Sequence, residues 1–282
     1  MAQYGTIGSD AIVASTGQTF SPASSSATMK NRIINGAMTI DQRNSGGSIN
    51  STNGATYPVD RFYTLQSIAG SKFTAQQSLT APVGFTNSVV CTSSSAYSVG
   101  ATDYFIYRQS IEGYNVADLQ WGTANAKTVT LSFQVYSSIT GTFGGVLANA
   151  AFNRSYPFTY SIDAANTWTS ISVTIAGDTA GTWATNNTTG MIVMFGLGVG
   201  TSGSGTAGAW AGTLYRSATG ATSVVGTSGA TFYITGVQLE KGTTATTFDF
   251  RDYGRELILC QRYYQQLSAN GSGSNLALLA IG

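Results

Sequence analysis

Thr231 to Tyr264 reads TFYITGVQLEKGTTATTFDFRDYGRELILCQRYY, the densest run of structural signals in a chain otherwise diluted by Gly, Ser and Thr. Phe232 and Ile234 fall on even positions, Val237 and Leu239 on odd ones. A strand shows each face every second residue, so the switch of phase across Thr235-Gly236 predicts a β-bulge, with Gly supplying the awkward backbone. Lys241-Gly242-Thr243 reads as a turn, and Phe248 and Phe250 as a short apolar return. Tyr253, Leu257, Cys260, Tyr264 and Leu267 then recur at helical spacing, with Asp252 placed to cap the first turn. The expectation is a closing core strand, then a short helix that turns back toward strand near Arg262. Everything upstream has to pack against this closing element.

Working outward, the 282 residues have enough apolar character for a core (42%), but only 9% are charged, against about 25% in ordinary soluble proteins. Hydroxyls, amides and backbone must hydrate the surface, which suits a β-rich extracellular or virion protein. A net charge of +1 gives no electrostatic case for nucleic acid or an anionic membrane. Histidine is absent, which removes a Ser-His-Asp triad, a Cys-His pair and imidazole metal sites. The two cysteines, Cys91 and Cys260, sit in apolar settings and read as small buried hydrophobes. No basic-then-apolar leader opens the sequence, and no apolar run approaches the roughly 20 residues of a membrane span. Membrane insertion is not expected, and host lysis is one route by which such a protein reaches the outside.

Residues 1–29 are rich in small residues, nearly uncharged and without a sustained period. They read either as a disordered tail or as an arm that orders on docking, anchored by Tyr4, Ile7, Ile12, Val13 and Phe20. From Lys30, the apolar pairs Ile33-Ile34 and Met38/Ile40 suggest an opening strand interrupted at Asn35-Gly36. Arg43, Asp60 and Arg61 are scarce charges here. A buried Asp–Arg pair that fixes register, or a ligand clamp, would account for them.

The middle is strand after strand. Val129, Leu131, Phe133 and Val135 alternate with Thr128, Thr130, Ser132 and Gln134; Ile171, Val173 and Ile175 repeat the pattern; Met191 to Leu197 is apolar on both faces and reads as a central strand. Short strands separated by Gly-rich turns predict an all-β fold, an antiparallel sandwich of the jelly-roll kind. The expected organisation is an extended N-terminal arm over 1–29, the sandwich over 30–251, and a short helix with a C-terminal extension over 252–282. Gly198 to Gly212 and Ser217 to Gly229 read as long mobile loops at one end.

Arg32 to Asn44 (RIINGAMTIDQRN), Gln109 to Gly113 (QSIEG), Thr130 to Phe133 (TLSF), Gly181 to Trp183 (GTW), Gly236 to Glu240 (GVQLE) and Glu256 to Tyr263 (ELILCQRY) occur in an order that resembles a family of phage and prophage virion proteins. The resemblance runs from about Lys30 to Tyr264. It implies a tail-fibre or minor structural protein with a jelly roll like those of carbohydrate-binding modules, commonly a homotrimer. Such proteins often continue into another β region, which is compatible with this chain being a fragment of a longer one.

For chemistry, a glycosidase-type carboxylate pair would draw on Asp103, Glu112, Asp118, Asp163, Asp178 and Glu240, none of which sits in a motif that demands catalysis. Glu112 and Glu240 read as strand-end carboxylates tying loops. No enzyme activity and no cofactor are expected; structural calcium at strand ends is the one metal option. Sugar recognition needs flat aromatic faces among neutral hydrogen-bonding groups. Trp121, Trp168, Trp183 and Trp210 fall near turns, with Asn166 and Asn186 beside two of them. The opposing reading has Trp168 and Trp183 packing over sandwich ends, which leaves Trp210 as the exposed one. The expected function is therefore a virion appendage, a tail fibre held to other virion proteins through residues 1–29 and adsorbing to a host surface polysaccharide. Capsid decoration and glycan depolymerisation are the alternatives.

Overall fold

The phase switch in the closing strand is a bulge. The structure, a computed structural model, describes residues 29–266 and, before them, the backbone of Ile12–Val13 and Thr19–Phe20. Its contacts divide it into two units, Met1–Lys30 and Asn31–Gly282. Of the first unit, the described part is an antiparallel ladder of β1 (Ile12–Val13) and β2 (Thr19–Phe20), with Ile12 opposite Phe20. The expected anchors Tyr4 and Ile7, and the side chains of Ile12, Val13 and Phe20, lie outside the described residues, as does Leu267.

The second unit is the expected antiparallel jelly-roll sandwich. Its strands are β3 (Ile49–Asn50), β4 (Phe62–Gln66), β5 (Phe73–Ser78), β6 (Ser88–Ser93), β7 (Tyr104–Glu112), β8 (Val129–Ser137), β9 (Gly141–Ala148), β10 (Ser155–Ile162), β11 (Thr169–Ile175), β12 (Thr189–Val199), β13 (Ser204–Gly205), β14 (Ser217–Ala218) and β15 (Thr231–Lys241). A five-stranded sheet runs β10-β9-β12-β7-β4, and a six-stranded sheet runs β11-β8-β15-β6-β5-β3. Strands distant in sequence thus lie side by side, as β15 does between β8 and β6. The inward residues of the alternating strands meet between the sheets. Phe133 of β8 packs edge-on against Phe195 of β12 at 5.1 Å, and Phe232 of β15 lies 5.9 Å from Phe143 of β9. Such aromatic pairs add to plain area burial.

In β15 the register slips between Thr235 and Gln238, and Gly236 sits at φ +62°. The bulge frees backbone groups that must find partners. The opening segment supplies them: Val237 N donates to Gly36 O (3.0 Å), and Asn31 Nδ2 donates to Val237 O (3.1 Å). This segment is not the strand expected from Ile33-Ile34 and Met38/Ile40. Asn35 and Met38 both have positive φ, which breaks an extended run, although Ile33, Ile34, Met38 and Ile40 are buried as their apolar character demands. Side chains take over the bonding of a ladder. Gln109 accepts from Ile34 N (3.0 Å) and donates to Ile34 O (2.8 Å), while Asn35 donates to Ile40 O and Asp60 O. Arg43 pairs with buried Asp60 at 2.7 Å, so that pair is structural.

Helix α1 (Tyr253–Gln261) begins where expected, with Asp252 accepting from Arg255 N at 2.9 Å. Its inward face differs from the apolar stripe. Glu256 and Cys260 are buried, whereas Tyr253 is 65% and Ile258 68% exposed. The reason is a bonded carboxylate: Glu256 accepts from Asn35 N and from Arg251 (3.1 Å), which turns that side of the helix inward. No strand follows at Arg262. Its guanidinium instead clamps Glu112 through two bonds, Nε at 2.9 Å and Nη2 at 2.6 Å.

Parts of the segments expected to be mobile loops are packed. Met191 to Leu197 is apolar on both faces because its outer side is covered: Ile106, Val146, Ala148, Ile192 and Met194 form a second core under Leu214 and Tyr215. β13 and β14 pair in parallel across this cover, and Val224 and Val225 belong to the main core.

Candidate functional site

The outer face of the five-stranded sheet is thus capped, and the outer face of the six-stranded sheet is where side chains remain accessible. Alternation decides which ones. With Val129, Leu131, Phe133 and Val135 of β8 turned inward, Ser132, Gln134 and Tyr136 point out and stay partly exposed, while Thr130 on the same side is buried and donates to Gly242 O. On β15, Tyr233 lies directly opposite Tyr136 in the ladder. Their rings meet edge to face at 5.1 Å. Trp168, one residue before β11, joins them at 5.5 Å from Tyr136 and 6.3 Å from Tyr233. Asn166, at φ +55°, makes the turn that delivers Trp168 here, its N–H donating to Ser137 O (2.7 Å). All three rings are half-buried, and each keeps part of its surface open to solvent.

Away from the rings, β8 and β11 pair Gln134 with Ser170, Ser132 with Ser172 and Thr130 with Thr174. Ser170 Oγ donates to Gln134 Oε1 at 3.0 Å. This neutral strip of amide and hydroxyl groups runs into a groove of about 370 Å³. Gln134, Ser170 and Ser172 line its floor, and Phe85, Thr246 and Phe250 its far wall. Phe85, Phe248 and Phe250 pack together at 4.7–5.2 Å, with Phe250 59% exposed. Thr235, the ladder partner of Gln134, holds a buried hydroxyl without a hydrogen-bond partner. Burial pushes the Tyr233 phenol above its ordinary pKa. Two aromatic clusters therefore flank an uncharged polar floor.

Of the residues singled out from sequence, Trp168 and Asn166 belong to this face; Trp183, Trp210 and Asn186 do not. Trp183 is buried, and Trp210 is half-buried, as is Trp168. Trp121, Trp183 and Trp210 form a mutual edge-to-face cluster with centroids 4.7–5.6 Å apart. Their indole N–H groups donate to Lys127 O, Ala180 O and Ala176 O. Arg154 lies 5.9 Å from the Trp210 ring and grips Asp178 through two 2.7 Å bonds. The cluster closes the end of the sandwich, the packing role weighed against recognition for Trp183. Asn186 accepts from Thr188 N and Oγ1 and shapes a turn. Tyr136, Tyr233, Gln134 and Ser170 were missed, although their outward parity on well-marked strands was the signal that could have found them.

The carboxylates are tied to local structure. Asp118 meets Arg32 (2.9 Å), Asp103 accepts from Tyr97 Oη (2.9 Å), and Glu240 accepts from Thr246 N (2.8 Å) and Oγ1 (2.7 Å), holding the loop after β15. Hydrogen bonding from Arg262 holds Glu112 below its ordinary pKa, with Tyr263 adding to it against the cost of burial. Asp163 is exposed. Among the described residues no three carboxylate or thiol groups gather as metal ligands, and no helix is long and apolar enough to cross a membrane.

No family model matches the chain, and no curated protein matches it. Solved structures to which the chain is similar include the enzymatically active domain of bacteriophage CBA120 tailspike protein 4 (10% identity, TM-score 0.39, 76% of this chain). This chain spans 22% of that one. A family 11 carbohydrate-binding module from Clostridium thermocellum, in complex with a β-1,3-1,4-mixed-linked tetrasaccharide, matches over 68% of this chain and 96% of its own (12% identity, TM-score 0.35). The N-terminal cellulose-binding domain of Cellulomonas fimi β-1,4-glucanase C matches over 56% and 80% (9% identity, TM-score 0.32). Likenesses of this size carry nothing over to individual residues.

Proposed function

We propose that the outer face of the six-stranded sheet binds a neutral polysaccharide, and that the protein is a non-catalytic virion appendage that adsorbs to a host surface glycan. The glycan reading is carried by one observation: Trp168, Tyr136 and Tyr233 form a contiguous aromatic surface beside an uncharged strip of Gln134, Ser132, Ser170 and Ser172. Pyranose rings present C–H faces that stack on such rings, and hydroxyls that bond amides and alcohols. The virion reading rests on the order of motifs from Arg32 to Tyr263, with residues 1–29 as the attachment arm. A tail fibre fits adsorption better than capsid decoration, because a decorating subunit has no need of a sugar-binding face.

Affinity per site is expected to be weak, on the order of millimolar to micromolar, since one sugar ring offers few atoms to bury. Salt should change it little, because no charge lines the strip. Useful adhesion then comes from several copies on a repetitive glycan. The test is binding to a panel of neutral polysaccharides by affinity electrophoresis. Trp168→Ala should weaken retention by about tenfold or more with an unchanged melting curve, as expected for losing one stacked ring. Trp183→Ala is the control and should cost about 3–5 kcal/mol of stability instead. Retention of Trp168→Ala equal to wild type would overturn the assignment of this face. Location of the protein in a particle reconstruction tests the appendage: density at the tail or baseplate supports it, and density over the shell favours decoration.

A further inference from the structure

A sheet exposes unpaired backbone groups along its edge strands, and soluble proteins cover or blunt such edges. Three of the edges here are managed. β4 is bridged by residues 52–56, with Thr64 N donating to Thr56 O (2.8 Å) and Gln66 N to Thr52 O (3.1 Å). β10 carries Pro157, which has no N–H, and is crossed by Ala211, whose N–H donates to Ser155 O (2.8 Å). β3 is two residues long. The remaining edge, β11, has none of these devices among the described residues and is covered only at its end, where Ile175 is buried. Thr169–Ile175 pairs with β8 in unbroken register, and no backbone hydrogen bond among the described residues reaches its other side. It contains no proline, and no charge occurs from Ala164 to Gly177. Ile171 and Val173, on the core-facing side, are left half-exposed at this margin.

We propose that β11 pairs antiparallel with β11 of a second copy of this chain, about a two-fold axis through Ser172. The pattern of the strand selects this occupant. Ile175 is fully buried, so the open edge is Thr169 to Thr174, and a centre on Ser172 sets Ser172 against its own copy, Ile171 against Val173 and Ser170 against Thr174. Aliphatic side chains meet aliphatic ones on the inner face and hydroxyls meet hydroxyls on the outer face, the matched cross-strand pairs that stabilise sheets. A centre on Ile171 sets the hydroxyl of Thr169 against Val173, and a centre on Val173 shortens the ladder. A centre between residues sets Ile against Ser and turns one sheet over. The contact is isologous and closes at two copies. It joins the two six-stranded sheets into one continuous sheet, with both Trp168 rings on the same side. The pairing stands on the edge alone. That the two aromatic faces then bind one glycan together rests on the function proposed above.

Sedimentation equilibrium of the full chain over a range of concentrations tests the pairing without any sugar present. Twice the chain mass at high concentration, dissociating on dilution, is the expected result; a single-chain mass throughout, or the triple mass expected of a trimeric fibre, overturns it. Ser172→Lys places two like charges face to face on an exposed strand surface. It should weaken association by about tenfold or more and leave the melting curve of the dilute, monomeric protein unchanged. Register is read by a charge exchange. Ser170→Lys with Thr174→Glu sets each Lys against a Glu of the other copy and keeps the dimer, whereas Ser170→Lys with Thr174→Lys loses it. Equal behaviour of the two overturns the centre on Ser172. Ser172→Cys supplies a positive signal: mild oxidation should give a covalent dimer on a non-reducing gel, since Cys91 and Cys260 are buried, and absence of that band overturns the pairing.

Discussion

Replacing Gly236 with Ala tests the feature on which the closing strand depends. The residue sits at φ +62°, a conformation that costs an L-residue about 1–2 kcal/mol. A Cβ there would also lie 2.8 Å from Phe85 Cζ and 3.2 Å from Phe85 Cε1. Phe85 cannot swing freely, because its ring packs at 5.2 Å on both Phe248 and Phe250. Overpacking of this kind adds roughly 1–3 kcal/mol. The expected loss is therefore about 2–5 kcal/mol, a melting point lower by roughly 5–15 °C for a unit of this size. The two contributions separate. In the Phe85→Ala background the clash is gone and the backbone cost remains, so Gly236→Ala should then cost only about 1–2 kcal/mol. Thermal unfolding of the four proteins in that cycle supplies the numbers. A Gly236→Ala melting curve that overlays wild type would refute the bulge as a backbone requirement; an equal cost in both backgrounds would refute the role given to Phe85.

Two further outcomes follow from the buried ionisable groups. Because Glu112 is held below the ordinary carboxylate pKa of about 4.3 mainly by Arg262, its contribution is present above that value and lost as pH falls through the lower folded value. Arg262→Ala should thus melt below wild type at pH 7, with the gap closing as pH falls below about 4; a gap independent of pH would show that the clamp does not work through charge. Burial raises the pKa of both thiols, that of Cys260 further through Asp60 and Glu256. At pH 8 the native protein should resist alkylation and take two labels once denatured, whereas rapid native labelling, or none after denaturation, would contradict two buried free thiols.

The all-β class, the strand cores and the bulge were legible because they rest on local parity. Phe232/Ile234 against Val237/Leu239 is a shift of phase that no unbroken strand can accommodate, and the alternation in β8 marks its buried face. The cap at Asp252 was legible for the same reason, since a capping bond spans three residues. Parity on β8 and β15 also placed Tyr136 and Tyr233 outward. What it could not show is that those strands are neighbours, because their pairing joins residues nearly a hundred positions apart. The site thus needed the sheet order before it could be seen. Trp210 shows the complementary limit: glycine-rich surroundings suggest full exposure, yet Trp121 and Trp183 arrive from distant segments and leave its ring half-buried. The opening segment and the helix show the same limit in polar form. Apolar periodicity assigned Ile33-Ile34 to a strand and Tyr253 to a buried stripe, while buried hydrogen bonds from Gln109, Asn35 and Glu256 decided otherwise. Composition and period constrain what each segment can bury; only the tertiary fold determines which distant polar group it must satisfy, because a buried unpaired donor or carboxylate costs more than a misplaced methylene.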